Sequence, residues 1–138
     1  MKITRLKIHN FRSILDQEII VQKFSLFIGA NNAGKSTIMN ALRLFYGDLN
    51  WTTDDFPKVG AKDEDVWIEV EFILDEIEWE NLADNYKNDD NKKLILRRYF
   101  KSKKVKVEKN QSNLYAIVAG ELSENYFYGA TNIGSSKL

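Results

Sequence analysis

One short pattern limits this chain to few folds: residues 29–36 read GANNAGKS. The pattern has the form GxxxxGK[ST], in which a glycine-rich turn places backbone N–H groups around a polyphosphate. Such a turn lies between a buried strand and the start of a helix, because the helix dipole adds positive potential there. The pattern therefore predicts an α/β fold with a phosphate-binding (Walker A) loop.

The residues on both sides of the pattern fit this context. Residues 24–28 form a short, largely apolar run, which predicts a buried strand. Apolar residues recur at helical spacing from Ile38 to Phe45, and Gly47 stands where a helix is expected to end. We therefore predict a helix over residues 35–46, directly after the loop.

Each fixed position of the loop has a chemical role. Gly29 and Gly34 let the chain bend with no Cβ in the way. The Lys35 ammonium is expected to bridge the β- and γ-phosphates, which makes Lys35 the candidate catalytic residue. The Ser36 hydroxyl is the predicted ligand of Mg²⁺, which prefers oxygen donors, and Thr37 is expected near the α-phosphate. The loop thus predicts a nucleoside triphosphate and Mg²⁺ as cofactors.

Composition excludes several classes of protein. The chain has 138 residues and no cysteine, so disulfides and thiolate metal sites are excluded. A hydrophobic content of 43% is typical of one folded domain. No apolar run approaches the roughly 20 residues of a membrane span, and the N-terminus lacks the apolar core of a signal peptide. We expect a cytoplasmic protein.

The charges are unevenly distributed, although the formal net charge is zero. Residues 48–90 hold fifteen acidic residues against three lysines, and residues 92–109 hold nine basic residues against one glutamate. The basic segment is either a contact for a nucleic-acid backbone or a solvated hairpin whose lysines protect an edge strand. The candidate DNA contacts are Arg97, Arg98, Lys101, Lys103, Lys104 and Lys106.

Period-two alternation predicts most of the remaining strands. In residues 66–74 an all-apolar set alternates with a set that contains two glutamates, which favours a half-exposed antiparallel strand; the sets are Val66, Ile68, Val70, Phe72 and Leu74, and Trp67, Glu69, Glu71 and Ile73. Asp75 and Glu76 resemble the acidic end of a Walker B strand, but this alternation favours their lying at the start of the next helix. The other predicted strands are residues 2–8, 18–21, 94–100, 105–109 and 114–118, the last three forming a meander that begins with a basic hairpin.

Residues 7–13 read KIHNFRS, and together with the second strand and the paired asparagines of the loop they identify a resemblance. The sequence resembles the start of the ABC-type ATPase heads of the RecF/SMC/OLD group over roughly residues 1–118. Within this group it is most similar to the OLD (overcoming lysogenisation defect) ATP-dependent endonucleases. The chain lacks a clear Walker B strand, signature loop and nuclease centre, so ATPase and nuclease activity are expected of a complete protein rather than of this portion alone.

The resemblance implies a fold and a set of binding residues. The fold is an ABC/SMC-like P-loop head with a mixed sheet, an antiparallel meander and few helices, of which residues 1–138 form the N-terminal portion. Residues 1–47 would be the nucleotide-binding strand, loop and helix, and residues 66–118 the antiparallel lobe. In the family two heads sandwich ATP, which implies a homodimer. The implied nucleotide-binding residues are Arg12, Gly29, Asn31, Asn32, Ala33, Gly34, Lys35, Ser36 and Thr37.

Other functions stay open at this point. One is a RecF/SMC-like DNA repair ATPase head. Another is a small-molecule P-loop kinase, although two strands precede the loop, whereas such kinases usually place it after the first strand. A third is a non-catalytic interaction fragment that retains the fold.

Overall fold

The computed structural model describes residues 1–20, 32–87, 91–109 and 111–127, with only the backbone described for residues 32–35, 37 and 38. Its main element is a six-stranded sheet with the spatial order β2-β1-β3-β4-β5-β6, and neighbouring strands are antiparallel throughout. The strands are β1 (Lys2–Phe11), β2 (Ile14–Ile20), β3 (Val66–Ile73), β4 (Lys93–Lys101), β5 (Leu114–Val118) and β6 (Glu121–Leu122). The helices are α1 (Asn32–Phe45), α2 (Glu76–Asn81) and two 3₁₀ turns, Thr53–Asp55 and Asp84–Tyr86.

The core lies between one face of this sheet and α1. Alternate side chains of each strand point to opposite faces, and the apolar set of β1, β3 and β4 points to the helix side. On α1, Ala41, Leu44 and Phe45 are buried, and the Phe45 ring lies 6.4 Å from that of Phe72 on β3. Within the described residues, no helix has the length and apolar character needed to cross a membrane.

The end of α1 confirms the predicted stop at Gly47. Gly47 has a φ of 83°, a left-handed conformation that glycine adopts without strain. Its N–H donates to the Leu44 carbonyl at 3.1 Å, and the Asp48 N–H donates to the Arg43 carbonyl at 2.8 Å. This pair of bonds is a Schellman cap. The start of α1 differs from the prediction, because the helix begins at Asn32, three residues earlier.

The prediction of a strand at residues 105–109 is wrong. After β4 the chain turns, and the Ser102 hydroxyl accepts the N–H groups of Lys104 and Val105 at 3.0 and 3.1 Å. The Asn113 side chain accepts the Glu108 N–H and donates to the Glu108 carbonyl, both at 2.9 Å. These side chains satisfy backbone groups that a strand would need for its ladder. β4 therefore pairs directly with β5.

The antiparallel assignment of residues 66–74 is confirmed. β3 lies between β1 and β4 and is antiparallel to both, which is unlike the doubly buried parallel strand of a Walker B motif. Asp75 is the N-cap of α2: its carboxylate accepts the Glu78 N–H at 2.8 Å, and the Glu78 carboxylate accepts the Asp75 N–H at 3.0 Å. Asp75 and Glu76 thus begin a helix, as the alternation indicated. The mixed sheet is not seen in the described part of the chain; the predicted strand at residues 24–28 lies outside it.

Candidate functional site

Six of the predicted nucleotide-binding residues, those at positions 32–37, lie in the first turns of α1. Gly29 and Asn31 lie outside the described residues, whereas the backbone of the later loop positions forms the first turns of the helix. Ser36 is exposed, so its hydroxyl is accessible to solvent. The positions described by backbone alone are Asn32, Ala33, Gly34, Lys35 and Thr37.

The electrostatics of this end of α1 suit an anion. The first turn of the helix carries no acidic side chain, so no carboxylate there offsets the positive end of the dipole. The only basic residue of the last turn is Arg43, which complements the opposite, negative end. A triphosphate and its Mg²⁺ fit this end of α1, which combines the exposed Ser36 side chain with the positive end of the helix dipole.

A buried asparagine near the end of β1 holds the corner that follows this strand. Asn10 and Arg12 both have positive φ angles, 54° and 56°, and such a conformation costs roughly 1 kcal/mol for a residue with a side chain. Asn10 is only 1% exposed. Its Nδ2 donates to the Asp63 carboxylate at 3.0 Å and to the Asp65 carbonyl at 2.9 Å. These bonds tie the corner to the acidic loop that precedes β3.

Arg12 is anchored through its backbone and the base of its guanidinium. Its N–H donates to the Asp55 carbonyl, and its Nε donates to the Asp55 carboxylate at 3.1 Å. The guanidinium lies 5.0 Å from the centre of the Phe11 ring. The terminal nitrogens of Arg12 make no hydrogen bond within the described part of the chain. Asp55 thus fixes the orientation of Arg12 through both its backbone and its side chain.

A cluster around His9 was not found by sequence reasoning. The His9 ring contacts Asp16 through Nδ1 at 2.6 Å and Asp63 through Nε2 at 2.9 Å. It stacks on Trp67, with 5.0 Å between ring centres and 13° between planes. Burial opposes a charge on His9, but the hydrogen bonds to Asp16 and Asp63 outweigh it and raise its pKa. The acidic residues 63–65 were the one sequence feature that pointed to this cluster. Their position beside His9 follows only from the register in which β3 pairs with β1.

The His9 cluster predicts a pH-dependent contribution to stability. Because the pKa of His9 is raised by folding, its stabilisation is present below the usual pKa of about 6.5 and is lost as pH rises through the folded value. We expect His9→Gln to lower the free energy of unfolding by about 1 kcal/mol more at pH 5.5 than at pH 9, which is the net contribution of a typical hydrogen bond. Urea unfolding at both pH values measures this difference, and Asp16→Asn should reduce it. Equal losses at the two pH values would contradict the assignment.

The basic residues of segment 92–109 do not form one surface. Arg97 and Arg98 lie on opposite faces of β4: Arg97 contacts Glu69 and Trp67, whereas Arg98 lies 5.6 Å from the centre of the Phe45 ring. Among the lysines, Lys101 lies over the Phe56 ring, Lys103 pairs with Glu64 at 2.5 Å, Lys106 pairs with Glu108 at 2.7 Å, and Lys104 is exposed. Acidic side chains therefore neutralise part of this charge locally.

Comparison with known families gives the identity of the domain. The family model described as the AAA ATPase domain matches residues 1–133. No curated protein matches the sequence significantly. The matching family implies nucleotide binding, the use of ATP and an ATPase function, in agreement with the phosphate-loop pattern and with a small α/β fold that has few helices. Since the match spans nearly the whole chain, the protein belongs to the AAA ATPase domain family.

Proposed function

We propose that the protein binds Mg-ATP through the Walker A loop, residues 29–37, as the N-terminal part of a DNA-acting ATPase head of the OLD type. The main support is the GxxxxGK[ST] pattern at the start of α1, whose first turn carries no acidic side chain. The AAA ATPase family supports ATP as the nucleotide. The ABC/SMC-like type and the OLD assignment rest on the KIHNFRS corner and the paired asparagines.

In this proposal the chain's own residues hold and orient the triphosphate. Lys35 neutralises the β- and γ-phosphates, and the hydroxyl of Ser36 ligates Mg²⁺. The bound Mg²⁺ supplies positive charge against the phosphate oxygens. Backbone N–H groups of the loop, which includes Asn31 and Asn32, surround the phosphates, and the N-terminus of α1 adds its dipole. Arg12 contributes its terminal guanidinium nitrogens.

The nucleotide role of Arg12 can be tested by comparing its variant with a variant of Arg43, an arginine in the last turn of α1. We expect Arg12→Gln to weaken Mg-ATP binding about tenfold, because it removes the positive charge and the terminal N–H donors of a guanidinium that Asp55 holds only through Nε among the described residues. Arg43→Gln removes the same charge at the exposed opposite end of α1 and should leave affinity unchanged. Isothermal titration calorimetry measures both. An equal effect of the two variants would contradict a nucleotide role for Arg12.

The proposed head type implies that two copies sandwich ATP, so we expect ATP to bring two copies together. Light scattering during size-exclusion chromatography should show a monomer without nucleotide and a dimer with Mg²⁺ and a non-hydrolysable ATP analogue.

Hydrolysis of ATP by this chain alone should be slow, since the acidic pair Asp75 and Glu76 caps a helix instead of ending a catalytic strand. A chain that stays monomeric with saturating nucleotide, or that phosphorylates a small molecule, would contradict the proposal.

DNA contact is the part of the proposal that rests on charge alone. Lys101 ends β4, and Lys103 and Lys104 follow it. Replacing all three with glutamine should lower the slope of log affinity against log salt concentration by the equivalent of about two to three phosphate contacts. Lys2, Lys58 and Lys62 provide a control triple of equal charge at other places in the chain. Equal salt slopes for the two triples would show that the segment after β4 is not the DNA contact.

A further inference from the structure

A cavity of about 590 Å³ lies at the C-terminal end of α1. Its walls are the end of α1 with Leu44 and Gly47, the following loop with Trp51, the β4 residues Arg98 and Phe100, and residues 107–109 and 111–113. This volume is typical of sites for small organic molecules. The cavity is separate from the phosphate loop, which precedes the opposite end of the same helix.

Arg98 forms no ion pair with an acidic side chain of the described residues, although Glu108 also lines this cavity. Within the described residues Arg98 makes no hydrogen bond or ion pair, and its Nε is covered by protein without an acceptor. Burial lowers its pKa, so the surroundings disfavour the charge. The neighbouring Arg97, in contrast, has a counter-charge, because two of its N–H groups donate to the Glu69 carboxylate at 2.8 and 3.0 Å. Arg98 is thus a cation held at a cavity wall without a partner.

The other polar groups of the wall do not supply the missing acceptor. The Glu108 carboxylate pairs with Lys106 at 2.7 Å. Lys109 adds a second positive charge to the wall. The Nε1–H of Trp51 is a further covered donor without an acceptor. Arg98 lies near Gly47 and complements the negative end of the α1 dipole, but this leaves its guanidinium hydrogen bonds unmade.

We propose that this cavity binds a small organic anion, with a carboxylate or phosphate group on the Arg98 guanidinium and an apolar body against Trp51 and Phe100. A planar guanidinium matches two oxygens of either group in a forked pair of hydrogen bonds. The partly buried side chains of Leu49, Trp51 and Phe100, which pack against the core, provide the apolar contact. The site is additional to the ATP site and does not depend on it.

The probes for this site differ in charge but share an apolar ring. Benzoate, phenyl phosphate and benzyl alcohol are titrated into the full chain, and binding is followed by calorimetry and by the Trp51 indole N–H resonance. We expect benzoate or phenyl phosphate, or both, to bind at least tenfold more tightly than benzyl alcohol and to move that resonance. The preferred anion then distinguishes a carboxylate ligand from a phosphate ligand.

Three variants locate the bound anion. Arg98→Gln should weaken binding of the preferred anion at least tenfold, whereas Lys103→Gln, which removes an exposed charge, should not change it. Lys35→Ala should leave the affinity for the preferred anion unchanged, which separates this site from the phosphate loop. The proposal is overturned if benzyl alcohol binds as tightly as the anions, if Arg98→Gln retains full affinity, or if Lys35→Ala abolishes binding. If Arg98→Gln does not fold, an unmoved Trp51 resonance in the unmodified protein overturns it equally.

Discussion

Replacing Lys35 with alanine is expected to weaken Mg-ATP binding by roughly tenfold to a hundredfold. A hydrogen bond to a charged group contributes about 1.5–3 kcal/mol, and each 1.4 kcal/mol is about a factor of ten in affinity. The ammonium of Lys35 is the only side-chain charge within the GxxxxGK[ST] pattern. Its loss therefore removes the main charged contact to the β- and γ-phosphates.

The control for this prediction is another lysine. Lys103 is 79% exposed and pairs only with Glu64 in the salt bridges of the described chain. Lys103→Ala therefore changes the net charge equally and should leave ATP affinity within about twofold. Circular dichroism of both variants checks that the fold is retained. Unchanged affinity in Lys35→Ala would mean that the loop does not bind the triphosphate.

Removing Arg97 is expected to have the largest effect on stability, about 3–5 kcal/mol, because it leaves a buried carboxylate without its main partner. Glu69 is only 7% exposed. Arg97 donates to it twice, at 2.8 and 3.0 Å, and also lies 3.7 Å from the centre of the Trp67 ring. The remaining cation, Lys7, is 3.8 Å away. Urea unfolding of Arg97→Met measures the loss.

A double-mutant cycle separates the ion pair from simple packing. If the unpaired charge causes the loss, Glu69→Leu combined with Arg97→Met should recover much of the stability that Arg97→Met alone removes. Lys103→Met breaks the exposed pair with Glu64 and should cost less than about 1 kcal/mol. A loss of less than about 1 kcal/mol in the free energy of unfolding for Arg97→Met as well would show that the buried Glu69 carboxylate does not need Arg97 as its partner.

Features set by local sequence were predictable. The stop of α1 at Gly47 follows from the left-handed cap, and Asp75 begins α2 because its side chain caps the first turn. The alternation of β3 could be recognised because every residue on one face of the strand is apolar and buried, whereas the other face carries Glu69 and Glu71. In each case the cause lies within a few residues of the feature.

Features set by distant partners were not predictable. Residues 105–109 alternate like a strand, but Ser102 and Asn113 bind their backbone in a loop. The His9 cluster and the pair of Arg97 with Glu69 depend on which residues face each other across β1, β3 and β4. The six basic residues of the predicted DNA contact lie close together in sequence, within residues 97–106, but strand geometry places Arg97 and Arg98 on opposite faces.

The most direct test of the central claim is a titration of the isotope-labelled protein with Mg-ATP, followed residue by residue through backbone amide NMR shifts. If residues 29–37 bind the triphosphate, the largest shifts should occur at Gly29–Thr37 and at Arg12, with little change at Trp51 and Arg98. Shifts concentrated around Trp51 and Arg98, with residues 29–37 unaffected at saturating nucleotide, would contradict the account.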